Sequence, residues 1–262
     1  MAIRLSRPRV IALCALPVLA LFGTAAFAPL PFTLAQPGTT ADVLGDSKGK
    51  PVITIKGTPT RRTDGQLRMT TILATGPAAD VGVGSVIDGW FRTDRVVMPR
   101  DSVYPTGGSE KEIERHNLKD MEESQNVAVD AALNYLDKPL GSVDVTLHLA
   151  DVGGPSAGLF FSLGIIDKLA GNGSGGDLTG GRTVAGTGTI EADGKVGAVG
   201  GVSLKTQAAR RDGATVFLVP KAECGQAKAD RPEGLRLVPV TTLENAVSSL
   251  RALDQGGKVP SC

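Results

Sequence analysis

One serine stands between a rigid turn and an apolar run: Ser156, in the stretch GGPSAGLFF from Gly153 to Phe161. Two chemistries are open to it. Preceded by Gly-Gly-Pro and followed by a helix-like run, its hydroxyl suits an N-cap. The same place suits a nucleophile, because the free N–H groups and partial positive charge of a helix start would receive an oxyanion. A nucleophile needs a base to take its proton. The chain has two histidines, His116 and His148, and both precede the serine.

GPSAG fits the Gly-x-Ser-x-Gly elbow of α/β-hydrolases, but those enzymes place their histidine after the serine, so the match fails on order. His148 lies in the strand just upstream and reads as an ordinary strand residue. A lysine can act instead if it is uncharged. That requires a fall of about 3 units from about 10.4, or about 4 kcal/mol of desolvation and neighbouring dipoles. Lys168 lies along the same helix, about 18 Å away at 1.5 Å per residue, and is out of reach. Lys195 belongs to a hairpin turn and is expected in water. Lys205 differs. At about 100° per residue, Val202, Leu204, Ala208 and Ala209 form one arc of its helix, with Ser203, Thr206, Gln207, Arg210 and Arg211 on the other. Lys205 falls in the middle of the apolar arc, where it is either desolvated or snorkels to water along its own stem.

The elements that would position these residues read as follows. A charged and then amphipathic stretch, GGSEKEIERHNLKDMEESQNVAVDAALNYL, predicts one or two helices, with the charge run as a solvated face, and Pro139 ends it. SVDVTLHLADV is a strand leading into the serine. From Ala157 to Leu169 the pattern is apolar all round, a buried helix in which Gly158 and Ser162 admit a close neighbour. GNGSGGDLTGG is a loop; its Gly-x-G-x-x-G lettering follows a helix and opens none, so no nucleotide site is read there. EADGK turns RTVAGTGTI back into VGAVGG as a hairpin. Then come the helix VSLKTQAARRDG, the strands TVFLVP and LRLVPV, and a last helix capped by Thr241 and Glu244. Nearer the start, LAQPGTTADVLGD reads as a linker. PVITIKG and GQLRMTTILA, joined through RRTDG, read as a hairpin, and Trp90 as a packing anchor.

Composition agrees with a strand-and-turn-rich α/β protein: 34 glycines and 16 prolines against 4% aromatic residues in 262. A net charge of +1 leaves no electrostatic footprint for nucleic acid. Arg4, Arg7 and Arg9 precede an uncharged run from Val10 to Leu34, long enough to span a bilayer with the N-terminus inside. A cleaved signal peptide is the rival reading, through Ala26-Phe27-Ala28. Pro29 would follow that cut directly, which favours the anchor. Cys14 sits in the apolar run. Cys224 and Cys262 remain as an even pair in the exported part, either disulfide-bonded or two free thiols.

Taken together, GGPSAG, TGTI and GAVGGVSLK resemble the proteolytic domain of Lon proteases, peptidase family S16, over about Asn117 to Leu253. The resemblance implies a Ser-Lys dyad with Ser156 as nucleophile, Lys205 as base and Thr187 supporting the lysine. It implies turn and oxyanion roles near Gly154 and Ala157, and no cofactor or metal. The implied fold is α+β, of the ribosomal protein S5 domain 2-like type, with a transmembrane helix before it. DGWF, VYP, FSLGIIDKL and AGTGTIEADGKVGAVGG are closer still to bacterial membrane-anchored proteins that join a PDZ domain to a Lon-type domain. Here no room for a PDZ domain exists between Tyr135 and Val143, and GGVSLK stands for that family's GGLKEK. The expected organisation is a tail (1–9), anchor or signal (10–34), linker (35–50), strand-rich part (51–116), proteolytic core (117–253) and tail (254–262). No Gly-x-x-x-x-Gly-Lys-Ser/Thr sequence is present, so the implied enzyme is an ATP-independent serine endopeptidase. It would cleave unfolded or exposed segments of exported proteins, and a homo-oligomer is left open. The alternative is a non-catalytic, membrane-tethered binding scaffold that retains the fold.

Overall fold

The computed structural model describes residues 7–104, 109–149 and 152–262. The chain divides into two compact units, Met1–Ala35 with Ala74–Gly107, and Gln36–Leu73 with Gly108–Cys262.

The larger unit is built on a sheet of mixed origin. The strand Val216–Pro220 is buried along its whole length and lies inside the sheet, as a continuous apolar run requires. It pairs in parallel with Arg236–Val240 on one side and with Thr183–Gly186 on the other. Thr183–Gly186 in turn pairs in parallel with Gln66–Ala74, and the strand Phe32–Asp42 follows in the order. Two expectations are corrected here. The stretch read as a linker is this strand Phe32–Asp42. A Cβ at Gly38 would run into Thr71, so the glycine marks close strand approach and not slack chain. The expected hairpin does not form either. Ile53–Lys56 pairs antiparallel with Asp144–Leu147, Ile53 opposite Leu147, while Gln66–Ala74 joins the main sheet. Of the strand expected through Val152, Asp144–Leu147 is extended, and Ala150 and Asp151 lie outside the described residues.

Two helices pack over this framework. Glu110–Tyr135 is one continuous helix, begun at Ser109, whose N–H donates to Glu112 Oε2 at 2.8 Å. Its buried stripe is small: Ser124, Ala128, Ala131 and Ala132 beside Met121 and Leu133. Gly158–Leu169 lies against that stripe, buried from Gly158 through Asp167. Ser162, expected at a close approach, donates its hydroxyl to the Ala128 carbonyl at 2.9 Å. The core fills with Phe160, Phe161, Leu163, Ile165 and Ile166 against Leu67, Met69 and Val184. The last helix, Leu243–Asp254, starts one residue later than expected: Thr242 accepts from Asn245 N, and Asn245 accepts from Thr241 N. A second cluster joins Val202 and Ala209 to Phe217, Val219, Ala227, Leu235 and Leu237. Packed on it are Val199, Cys224 and Cys262, the last two joined as a disulfide with Cα atoms 5.4 Å apart.

The smaller unit holds a helix, Arg7–Phe27, and a short helix, Val83–Trp90, packed together. Phe32–Ala35 pairs antiparallel with Val96–Pro99. The transmembrane expectation over Val10–Leu34 is corrected: the helix ends at Phe27 ahead of Pro29 and Pro31, and Phe32 onward is strand. Among the described residues no helix is long and apolar enough to cross a membrane. Cys14 is a free, exposed thiol. Trp90 is also corrected, being 72% exposed beside exposed Phe91. The inward positions of its helix are Val86 and Gly89, which turns the next residue outward.

Candidate active site

Ser156 is held from three sides while its own side chain stays half-exposed. The loop before it rests on the helix Glu110–Tyr135: Gly154 N donates to the Asn117 carbonyl at 3.0 Å, and Ser124 Oγ donates to the Pro155 carbonyl at 3.0 Å. A Cβ at Gly153 would stand 2.7 Å from Asn117 Cβ, so only glycine allows that seating. Gly154 has φ +88°, a turn that side chains resist. The Ser156 carbonyl accepts from Gly188 N at 3.0 Å and from Thr187 Oγ1 at 3.2 Å.

The alternative of a capping serine is answered by this geometry. Pro155–Ala157 forms a single 3-10 turn and Gly158–Leu169 the helix proper, and neither start is capped by a side-chain hydrogen bond. The Ser156 hydroxyl is thus not used as a helix cap. Gly154 supplies the turn but not an oxyanion donor, since its N–H is taken by Asn117. The Ser156 N–H lies in this first turn, where no carbonyl of the helix is available to it.

Lys205 is 4% exposed. Its helix, Val202–Arg211, starts from Gly201 at φ +69°, where a Cβ would stand 2.8 Å from Ile72 Cγ2. Val202, Leu204, Ala208 and Ala209 are buried with the lysine, as the periodicity implies. Thr206, read on the polar arc, is buried too, its hydroxyl turned back to the Ser203 carbonyl at 2.7 Å. Lys205 Nζ donates to Thr187 Oγ1 at 3.0 Å. Thr187 is fully buried at the end of the strand Thr183–Gly186, fixed by its N–H on the Leu218 carbonyl at 3.2 Å. Desolvation brings the Lys205 amine down to about 8, against an opposing pull from the Glu223 carboxylate. Because Thr187 spends its proton on the Ser156 carbonyl, its lone pair faces the amine. An uncharged Lys205 can donate one N–H there and keep its own lone pair for a second hydroxyl.

The rival bases are elsewhere. His148 is exposed on a strand end whose backbone N–H donates to the Val52 carbonyl, and exposed His116 lies 3.6 Å from Asp120. Lys195 pairs with Glu191 in water at 3.1 Å, and Lys168 reaches the Leu44 carbonyl at 3.4 Å. Sequence reading missed Asn117, Ser124 and Gly188, which seat the serine, and Glu223 beside the lysine. A polar residue on the small-residue stripe of an amphipathic helix was the available signal for Ser124. Beside the Ser156 loop opens a cavity of about 340 Å³, lined by Asp120, Glu123, Ser124, Val127, Pro155, Thr189 and Ile190. Among the described residues no group of histidine, cysteine and carboxylate side chains could hold a metal ion.

The family model of the Lon protease (S16) C-terminal proteolytic domain matches residues 117–250, just over half of the chain. The Lon protease of Malacoplasma penetrans (strain HF-2) is 31% identical over 150 residues, 53% of this chain. The match covers 18% of that protein, so the chain is similar to a small part of it.

Proposed function

The chain belongs to the Lon protease (S16) C-terminal proteolytic-domain family, and from that premise we propose that it is a serine endopeptidase with Lys205 as the base for Ser156. One observation carries the reading: the buried Lys205 amine, 3.0 Å from Thr187 Oγ1, is linked through that hydroxyl to the Ser156 carbonyl. The uncharged amine takes the Ser156 proton as Oγ bonds to the substrate carbonyl carbon. The resulting oxyanion is received at the helix start. When the tetrahedral adduct collapses, the carbon–nitrogen bond breaks and the Lys205 ammonium returns its proton to the leaving amine. A water, deprotonated by Lys205, then attacks the ester, and Ser156 leaves as its hydroxyl is reprotonated. The cavity beside Pro155 has room for a residue flanking the scissile bond.

Its place of action belongs to the same proposal. The Cys224–Cys262 disulfide persists in an oxidising compartment, which supports a catalytic unit working outside the cytoplasm and without ATP on unfolded or exposed polypeptide segments. The N-terminal helix, with Ile11, Leu16, Leu19 and Phe22 exposed, would deliver the protein there or hold it at a membrane. A non-cleaving scaffold has no use for a desolvated amine linked through Thr187 to the backbone of a half-exposed serine. The test is cleavage of an unfolded protein and a fluorogenic peptide by the wild type, Ser156→Ala and Lys205→Ala, with mass spectrometry of Ser156 after a peptidyl boronate. Cleavage and labelling only in the wild type are expected. Full activity in either variant would overturn the dyad.

A further inference from the structure

The short helix Val83–Trp90 carries an apolar face that its own unit leaves uncovered. Its inner side is occupied. Val86 and Gly89 are buried, and a Cβ on Gly89 would stand 2.9 Å from Val97 Cγ2 and 3.3 Å from Leu34 Cδ2, so the helix sits closely on the strand pair. The segment leading into it is braced as well: Leu30 N donates to the Val81 carbonyl at 2.8 Å, and Arg100 donates to the Ala79 carbonyl at 2.8 Å. Ile87, Trp90 and Phe91 stand at i, i+3 and i+4 and so share one side of this seated helix. They are 47%, 72% and 86% exposed. A contiguous face of one isoleucine and two aromatic rings, left in water, marks an interaction surface.

The neighbouring helix says which partner the face fits. Val83–Trp90 packs on Arg7–Phe27. There Val10, Ile11, Leu13, Leu16, Leu19 and Phe22 are each at least 43% exposed. At about 100° per residue they lie on every side of the helix and not along one stripe. A single protein partner covers a stripe, whereas lipid acyl chains cover all sides. What surrounds that helix also adjoins the face packed beside it. The rim of the face suits the same medium. Arg92 donates to both carboxylate oxygens of Asp94, at 2.8 and 2.9 Å, and Arg95 pairs with Asp88 at 2.9 Å. The charges flanking the aromatic pair therefore cancel locally, and the face needs no anionic surface to attract it. An indole joins an apolar ring to one N–H donor, the combination favoured where acyl chains meet headgroups.

We propose that Ile87, Trp90 and Phe91 form a lipid-contact face, which seats the smaller unit at the headgroup–acyl boundary of a neutral bilayer, about 5–10 Å deep. This rests on the membrane-holding role proposed for the N-terminal helix and adds a second, fixed contact beside it. It asks the helix to lie in lipid and not to cross it, since among the described residues no helix is long and apolar enough to cross.

Trp90 is the only tryptophan in the chain, so its fluorescence reports this face without background. The full chain is reconstituted with phosphatidylcholine vesicles, and flotation is read together with Trp90 emission. The wild type is expected to float at low and at high salt. Its emission should move to the blue, iodide quenching should be lost, and lipids brominated near the headgroup end of the acyl chain should quench it. Phe91→Asp changes an exposed side chain and leaves the N-terminal helix intact. That variant should still float, with its emission returned to the red and the bromolipid quenching lost; unchanged quenching would overturn the proposal. Wild-type protein that floats while Trp90 stays open to iodide and untouched by bromolipid would refute the face and leave the helix's role standing. Protein that does not float at all would refute both. A blue shift that grows with protein concentration in the absence of lipid would assign the face to a second copy of the chain, and would equally overturn the proposal.

Discussion

Two regions around the helix that follows Ser156 each bury an ionisable group, in different surroundings. Lys205 lies under the helix start, desolvated to about 8, with Thr187 as its hydrogen-bond partner. Asp167 lies near the far end of the helix Gly158–Leu169, fully buried, where desolvation and then the charge of Asp177 push it up to about 6, against the Leu178 N–H. Its Oδ1 accepts from Leu178 N at 2.8 Å and so pins the glycine-rich loop, while Oδ2 has no partner. Burial displaces both groups by the same mechanism. Only the lysine is linked, through the Thr187 hydroxyl, to the backbone carbonyl of Ser156. A displaced acid or base marks a strained place; its neighbours decide whether that strain serves chemistry or architecture.

The sharpest break of this comparison is Lys205→Met. Cleavage should fall by roughly 10⁴-fold or more, as when a member of a catalytic unit is removed. Stability should report the same amine with a definite sign. The folded-state value lies below the unfolded one, so between about pH 8 and 10.5 the unfolded chain binds more protons, and wild-type stability rises with pH. A shift of that size corresponds to about 3 kcal/mol. Urea unfolding at pH 7.5 and 10.5 should show this rise in the wild type and not in Lys205→Met.

Thr187→Val comes next. It keeps the shape but removes both the acceptor for Lys205 and the donor to the Ser156 carbonyl, whose Gly188 bond remains. A fall of about 100-fold in kcat with little change in KM is expected from steady-state kinetics. Asp167→Asn is the smallest and points the other way. A raised carboxyl adds stability below about pH 4 that is lost as pH climbs through 6. The amide should leave kcat unchanged and raise stability at pH 7 by about 2 kcal/mol, read by urea unfolding. A loss of activity in that variant would erase the contrast between the two buried groups.

Much of the lysine's side of the site was legible in the sequence, because helical periodicity places Lys205 among Val202, Leu204, Ala208 and Ala209 whatever surrounds the helix. The buried helix after Ser156 and the hairpin Thr189–Gly197 were legible for the same local reason. Pairing between distant segments was not. Alternation in PVITIKG announces a strand, yet nothing in it selects Asp144–Leu147 over the nearer Gln66–Ala74 as partner. Pro37 and Gly38 mimic a linker, although Gly38 is there because Thr71 crosses close by. The seat of Ser156 on Asn117 and Ser124 comes from tertiary contact and carries no spacing rule. Glu223 is a single acid after a strand, and its burial comes from packing that no spacing announces.

The proposed reaction requires a Lys205 amine that is uncharged often enough to take the proton of Ser156. Titration of the wild-type protein with labelled lysine side chains, followed by NMR at the Lys205 ε-carbon, measures that directly. A midpoint of about 8 is the predicted result, distinct from the other lysines. A midpoint at or above 10 would mean a permanently charged ammonium at working pH, and the proposed base would be contradicted.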